Sequence, residues 1–506
     1  MKKIISFDIL VIALIVFISV ILFFFRLGNT SLTNWDEAWF GSVAQDMAKS
    51  GNLLAGKWNG QTFFYEPPLL VWLLSLTIKI FGGSEFWLRS ISAISGVFTV
   101  IGCYILAGKI AKSKLAGIFA SLIILSDIEI LFRSRQINVE ILLAALLLWS
   151  IIFLIKAYER KGLRFITCSA VCLGLAFLTK RASPLLALPA IGYLLLKTTL
   201  SLSCEAGSRS AGRASLSCCK NLVPVFIFVI TFITITLPWY LLSYSKWGSQ
   251  FINEFFIGYT FNKIKSVNVS AGTSPVFYFN SIKHAFKLWS LLIPLAAVWG
   301  AIKSFRDRNI AGLMIFILTF LLFLTLAPIK SSWFLLPVHP FLAVLLGMFL
   351  ARIVKFPKPN NQSIVIPDVA KRRSGIYINI LALTLIIALT GWQLYHYRHD
   401  YIVPDTTNNQ AAISRLAGAM ADKGQAIYLD DEYLPVAVFY SHRKVIPLRF
   451  SRSANPVPSL TDIPEGNLVL TNKETFPVLK SATGILFEVL FSSGDLLLVK
   501  VHGVRA

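Results

Sequence analysis

The chain has 506 residues, of which 56% are hydrophobic and 14% charged, with a mean hydropathy of +0.68. Soluble domains carry roughly 25% charged residues, so a soluble globular protein is excluded, and repeated apolar runs place the chain in a bilayer with many spans. The net charge of +23 has no continuous basic domain behind it, which argues against nucleic acid as a partner; Lys and Arg collect in loops, where they set membrane orientation.

Lys2 and Lys3 precede an apolar run ending at Phe25. Arg26-Leu27-Gly28 offers no small-residue cleavage site, so the run reads as an uncleaved anchor with a cytoplasmic N-terminus. Residues 26–85 then form the first outer loop. Within it, 67–82 (PPLLVWLLSLTIKIFG) fixes the topology. It is short, opens on two prolines and holds Lys79. Laid flat on the outer surface, it leaves 86–108 as the second span. The loop with Lys109, Lys112 and Lys114, and those at 156–164, 197–220, 303–308 and 352–373, then all face the cytoplasm. The predicted spans are 4–25, 86–108, 115–131, 140–156, 165–179, 182–196, 222–243, 284–302, 309–327, 333–351 and 375–394. They number about eleven, and the pair at 165–196 is short for a core of roughly 30 Å.

Residues 400–506 contain no membrane-length run. Asn408 is placed to cap a helix on which Ile413, Leu416, Ala417 and Met420 share a face, with Gly424 ending it. AIYL, VAVFY, NLVL and LLLVKV read as strands, with Ser-Gly-Asp as a turn. The expected architecture is an all-α polytopic membrane domain over 1–396 and a small extracytoplasmic α/β domain over 400–506, in a cell (plasma or inner) membrane. Of the six cysteines, Cys103, Cys168 and Cys172 lie in apolar segments and Cys204, Cys218 and Cys219 in one polar loop. No CxxC pair appears, which argues against zinc and disulfides alike.

On this topology the unusual charges gather on the outer side. Asp36 and Glu37 stand in NWDEAWF, and Tyr65 and Glu66 close the polar part of the first loop. Arg133, Arg135 and Glu140 bracket the start of the fourth span, Lys180 and Arg181 end the fifth, Lys330 precedes the tenth and His339 lies in it. Each has a plainer explanation. Asp36 and Glu37 suit the first turn of a surface helix. Arg135 and Glu140 suit an ion pair, Lys180-Arg181 interfacial snorkelling, and His339 helix packing. Together, charges near an apolar core cost several kcal/mol unless paired or wet, so their clustering points to a shared polar cavity. The set suits transfer of a sugar from a polyprenyl phosphate: a carboxylate takes the acceptor's proton and cations stabilise the departing phosphate. No Gly-rich phosphate loop is present, which argues against direct use of a nucleotide.

Six stretches, in order, resemble the GT-C glycosyltransferases of the protein O-mannosyltransferase and aminoarabinose transferase type (glycosyltransferase family 39 and bacterial relatives). They are NWDEAWF (34–40), FFYEPPLLVWLLSLTIKIFG (63–82), FRSRQINVEILLA (132–144), GLAFLTKRASPLLALPA (174–190), LPWYLL (237–242) and IKSSWFLLPVHP (329–340). The resemblance implies surface helices in the first loop, a polyprenyl-phosphate sugar donor and inverting transfer. It implies Asp36, with Glu37 beside it, as catalytic carboxylate, and Tyr65, Glu66, Arg135, Glu140, Lys180, Arg181 and Lys330 as the donor phosphate and sugar site. Pro67, Glu140, Phe334 and Arg181 stand where the family often has Lys, Asp, Tyr and Gly. No cofactor is implied as required, and a divalent metal stays open. The acceptor is a glycolipid, polysaccharide or protein at the outer face. The alternatives are a transporter or flippase of lipid-linked sugars, for which no internal repeat is detected, and a non-catalytic binding subunit.

Overall fold

In a computed structural model, the described residues are 7–208, 222–262, 274, 276–354, 368–398, 409–448, 463–483 and 485–504. Each segment expected to span falls on a helix. In chain order these are α1 (Phe7–Phe24), then, after the loop helices α2 (Asp36–Ser50) and α3 (Leu69–Phe81), α4 (Glu85–Ala111), α5 (Lys114–Leu125), α6 (Ile128–Ser134), α7 (Val139–Arg160) and α8 (Leu163–Phe177). There follow α9 (Leu188–Ser208), α10 (Val223–Trp247), α11 (Phe277–Phe286), α12 (Ile293–Ser304), α13 (Arg308–Leu326), α14 (His339–Val354) and α15 (Asp368–His396). Among the described residues, seven helices are long and apolar enough to cross a bilayer, or eight if the bent pair α5–α6 is one span. The chain is a multi-pass membrane protein.

Two segments depart from expectation for visible reasons. The run at 115–131 is not one straight helix but α5 and α6, bent by 68°. The break falls at Ser126-Asp127, where the Asp127 carboxylate accepts the Ile130 N–H (2.9 Å) and starts a new helix; short polar side chains favour caps over helix interiors. In the pair at 165–196 only the first is short. The second, Ser183–Leu202, has 20 residues, and its helix runs into the expected basic loop. There Lys197 is buried, 4.0 Å from the Tyr158 ring centroid and bonded to Asn309 Oδ1 (2.8 Å). Arg209, Arg213 and Lys220 of that loop lie outside the described residues.

Helix α3 has 13 residues, too few to cross a core of roughly 30 Å at 1.5 Å per residue. Its first N–H bonds the Leu178 carbonyl (2.9 Å), which ties the first outer loop to the end of α8. In the membrane core α14 packs closely on α5. A Cβ on Gly347 would stand 2.6 Å from Ala120 N and 2.7 Å from Ala116 O, so only glycine admits this approach.

The C-terminal region is α/β. A hairpin from the first outer loop, β1 (Lys57–Trp58) and β2 (Gln61–Thr62), packs against it. The sheet itself contains β3 (Ile427–Leu429), β4 (Val445–Pro447), β5 (Leu468–Asn472), β6 (Ile485–Ser493) and β7 (Leu496–Val504). Its order is β4-β3-β5-β7-β6, with β3 parallel to β4 and β5, and β7 antiparallel to β5 and β6. It is accompanied by α16 (Asn409–Met420), α17 (Leu434–Ser441) and α18 (Phe476–Thr483). Asn408 lies outside the described residues. VAVFY, read as a strand, is part of α17. Pro435 sits in the first turn, where it is tolerated, and residues Pro435 to Ser441 are all buried. Such a continuous apolar run does not distinguish strand from helix by period. The strands β4 and β6 escaped the sequence reading.

The region is fastened to the first outer loop. Asn59 exchanges two hydrogen bonds with the Val445 backbone (2.7 and 2.9 Å), occupying the edge of the sheet. Tyr440 Oη accepts the Leu32 N–H (2.7 Å) and donates to Glu85 (2.8 Å). The first outer loop, α2 and α17 therefore share one side of the molecule. In a cysteine-free background, a cysteine at Ser84 is expected to react with an impermeant maleimide from outside and one at Ser113 only after permeabilisation. The reverse pattern would overturn the orientation.

Candidate active site

The loop entering α2 is organised by one buried ion pair. Arg89, near the start of α4, bonds Glu37 twice, Nε to Oε1 at 2.7 Å and Nη2 to Oε2 at 2.9 Å. Its remaining donors take the carbonyls of Leu27, Thr30 and Ser31. Glu37 also accepts the N–H groups of Thr33 (2.8 Å) and Ile137 (2.9 Å) and the Thr33 hydroxyl (3.0 Å). Burial alone pushes the Glu37 carboxyl up. The Arg89 charge and these hydrogen bonds outweigh it and hold the group below its ordinary value. Glu37 is 1% exposed and its oxygens are committed. We therefore propose a structural part for it in place of the expected catalytic one. Asp36, one residue earlier, is exposed at the N-terminus of α2. The turn before it is strained, since Trp35 adopts φ 66° without being glycine.

The second half of the site is the cluster expected to bind the donor. Tyr65 and Glu66 precede α3, which the Leu69–Leu178 bond holds against the end of α8. Lys180 and Arg181 follow α8 directly. Glu140 stands in the first turn of α7, set by Asn138 as cap (Oδ1 to Ile141 N, 3.1 Å). Lys180 pairs with Glu140, and Arg181 Nε lies 3.7 Å from Glu66 Oε2 and donates Nη1 to the Phe255 carbonyl (2.8 Å). The Arg181 guanidinium also faces the rings of Tyr65 (5.6 Å) and Phe255 (5.2 Å). Burial lowers the Lys180 ammonium, but Glu140, then Glu66 and Asp36, reverse this and keep it charged. Burial, followed by the charges of Glu66 and Asp36, raises the Tyr65 phenol, so it is a hydrogen-bond donor at neutral pH. The fields of Asp36, Tyr65, Glu66, Glu140, Lys180 and Arg181 thus overlap. Phe334, where the family often has Tyr, lays its ring 5.1 Å from Lys180 Nζ; the hydroxyl is lost but a cation–π contact remains.

Two expected members serve elsewhere. Arg135 donates to the carbonyls of Leu22 (2.8 Å), Phe23 (3.3 Å) and Phe25 (2.8 Å), at the end of α1. Lys330 donates to those of Thr325 (2.8 Å) and Ala327 (2.9 Å), at the end of α13. Both are cations on orphan carbonyls at helix C-termini, and we propose that they brace these helix ends. Sequence reading missed Arg89 and Asp127, although a lone charge in an apolar run is itself a signal. Asp127 lies 2.9 Å from His339 Nδ1, and both are fully buried. Among the described residues, no three His, Cys, Asp or Glu side chains gather as metal ligands.

Known proteins resemble this chain in sequence and fold. Residues 65–206 match the family described as dolichyl-phosphate-mannose-protein mannosyltransferase. An undecaprenyl phosphate-alpha-4-amino-4-deoxy-L-arabinose arabinosyl transferase of Pseudomonas fluorescens is 23% identical over 74% of this chain and 64% of its own length. An uncharacterised protein of Aquifex aeolicus is 26% identical over 74% of the chain and 68% of its own length. ArnT from Cupriavidus metallidurans, solved with undecaprenyl phosphate, superposes with a TM-score of 0.73 at 18% identity, covering 98% of both chains. The chain resembles the GT-C glycosyltransferases of the ArnT and protein O-mannosyltransferase group. The Archaeoglobus fulgidus oligosaccharyltransferase shares the fold more distantly, with a TM-score of 0.58 at 13% identity over 96% of this chain and 73% of its own.

Glu37→Ala would leave Arg89 as an uncompensated buried charge, at a cost of about 3–5 kcal/mol. A large fall in the thermal midpoint of the solubilised protein is expected. Arg415→Ala, at the exposed pair with Glu85, should change stability by about 1 kcal/mol or less. Equal small effects would contradict the anchoring role. Because the native Glu37 carboxyl lies below its ordinary value of 4.5, its contribution is complete above that value and is lost as pH falls through the lowered one. Thermal scans against pH should show this loss in wild type and not in Glu37→Gln.

Proposed function

We propose that the protein transfers a sugar from a polyprenyl-phosphate donor to an acceptor hydroxyl at the outer face of the membrane, with inversion at the anomeric carbon. The observation that carries this reading is the meeting of an exposed carboxylate, Asp36, with Lys180 and Arg181 in one polar site at the end of α8. Asp36 takes the acceptor's proton as its oxygen attacks the anomeric carbon. The bond from that carbon to the phosphate oxygen breaks, and its electron pair leaves with the polyprenyl phosphate. Lys180 and Arg181 stabilise the charge that develops on the leaving group. Glu140 and Glu66 hold these cations in place beforehand, and Tyr65 donates a hydrogen bond beside them. Direct attack from the side opposite the phosphate gives inversion.

The arrangement also explains the loss of the family's frequent Lys at Pro67. Arg181 occupies the same neighbourhood, next to Glu66 and over Tyr65, and restores the cation. In membranes supplied with a radiolabelled polyprenyl-phosphate sugar, Asp36→Asn should lower transfer by about 10²–10⁴-fold while the donor still binds. Lys180→Met should weaken donor binding as well as turnover. Full transfer by Asp36→Asn would remove Asp36 as the base.

A further inference from the structure

The transfer step as described uses nothing from the C-terminal region, yet contacts from that region converge on the approach to Asp36. The residues leading into α2 are held one after another. The carbonyls of Thr30 and Ser31 accept from Arg89 (2.8 and 2.9 Å). The Leu32 N–H donates to the Tyr440 hydroxyl of α17 (2.7 Å). The Thr33 N–H donates to Glu37 (2.8 Å), and Asn34 Nδ2 donates to the Glu432 carbonyl (2.9 Å). Beyond them α2 lies close on α17, where a Cβ on Gly41 would stand 2.9 Å from the Phe439 ring. The holds at Leu32 and Asn34 come from the C-terminal region, and the others from α2 and α4.

The turn that follows needs such holding. Trp35 adopts φ 66° and ψ −111°, a region that a residue with a Cβ rarely enters and that glycine enters freely. A conformation of this kind persists only where its surroundings over-determine it. Leu32 is fully buried, so its N–H has no water to turn to if Tyr440 releases it. The Tyr440 hydroxyl is itself fixed, because it donates to Glu85 (2.8 Å). Glu85 and Arg89 stand four residues apart on one face of α4. The start of α4 therefore grips the loop twice, directly through Arg89 and by way of Glu85 and Tyr440.

We propose that Tyr440 is a positioning residue for the transfer reaction: by holding Leu32 it keeps the Trp35 turn in the conformation that sets Asp36 towards the acceptor. The proposal rests on the transferase reading with Asp36 as base. It confines the influence of the C-terminal region to the proton-accepting side of the reaction. The cations of the site take their bonds elsewhere, Lys180 from Glu140 and Arg181 from the Phe255 carbonyl. Asn59 supplies the comparison. It fastens the same two parts of the molecule through the Val445 backbone, but from the β1–β2 hairpin and not from the segment entering α2.

Two measurements on the full-length protein test this. Transfer is followed in native membranes, which carry the acceptor, with a panel of radiolabelled undecaprenyl-phosphate sugars as donors. Hydrogen exchange of the peptide spanning 30–38 is followed in nanodiscs without donor. Tyr440→Phe should lower turnover at saturating donor about tenfold, leave the donor KM within about twofold and speed exchange across 30–38. Asn34→Ala should act in the same direction, and it carries the comparison if Tyr440→Phe does not fold. Asn59→Ala should leave turnover within about twofold and exchange across 30–38 as in wild type. Unchanged turnover or unchanged exchange in the folded variants, a raised donor KM as the main effect, or an equal fall in Asn59→Ala would overturn the proposal; the last would reduce Tyr440 to one fastening among several. Exchange does not depend on the reaction. It therefore judges the hold on the turn separately from full transfer by Asp36→Asn, the result that would remove Asp36 as base.

Discussion

The buried pair of Glu37 and Arg89 is the constraint on which the site depends. Neither charge has access to solvent, so each is tolerable only because the other is there and every remaining donor or acceptor is filled. The filling groups come from the loop after α1 and from Ile137 ahead of α7. One ion pair thereby fixes the first outer loop to α4 and to the approach to α7. Its geometric consequence is that residue 37 turns inward and residue 36 is left facing out. Adjacent carboxylates thereby acquire opposite environments.

The donor side follows a related logic with a different outcome. Lys180 and Arg181 are also paired with carboxylates, Glu140 and Glu66, but these groups are less enclosed and Arg181 is not in close contact with its partner. Aromatic rings of Tyr65, Phe255 and Phe334 surround the cations and limit their hydration, which strengthens their field on an anion.

Much of this was legible in the sequence because it depends on long periodic segments and on charge placement. The flat helix at 67–82 follows from its length, its prolines and the sidedness of Lys and Arg, and the structure gives a 13-residue helix there. The structure places Asp36, Tyr65, Glu66, Glu140, Lys180 and Arg181 near one another. What escaped depends on partners distant in sequence. Nothing local to Glu37 indicates that Arg89 closes on it, and nothing local to Arg135 or Lys330 indicates that helix ends will claim them. The bend at Asp127 and the helical state of VAVFY were missed because a cap and a continuously buried run look alike in pattern to a span interior and a strand.

Cryo-electron microscopy of Asp36→Asn in nanodiscs, trapped with a polyprenyl-phosphate sugar, tests the division of labour most directly. The donor phosphate is expected against Lys180 and Arg181, with the anomeric carbon facing residue 36 across a gap that admits a hydroxyl at about 3 Å from its side chain. The Glu37–Arg89 pair should be undisturbed. A phosphate seated instead on Arg135 or Lys330, with residue 36 turned away from the sugar, would contradict the account.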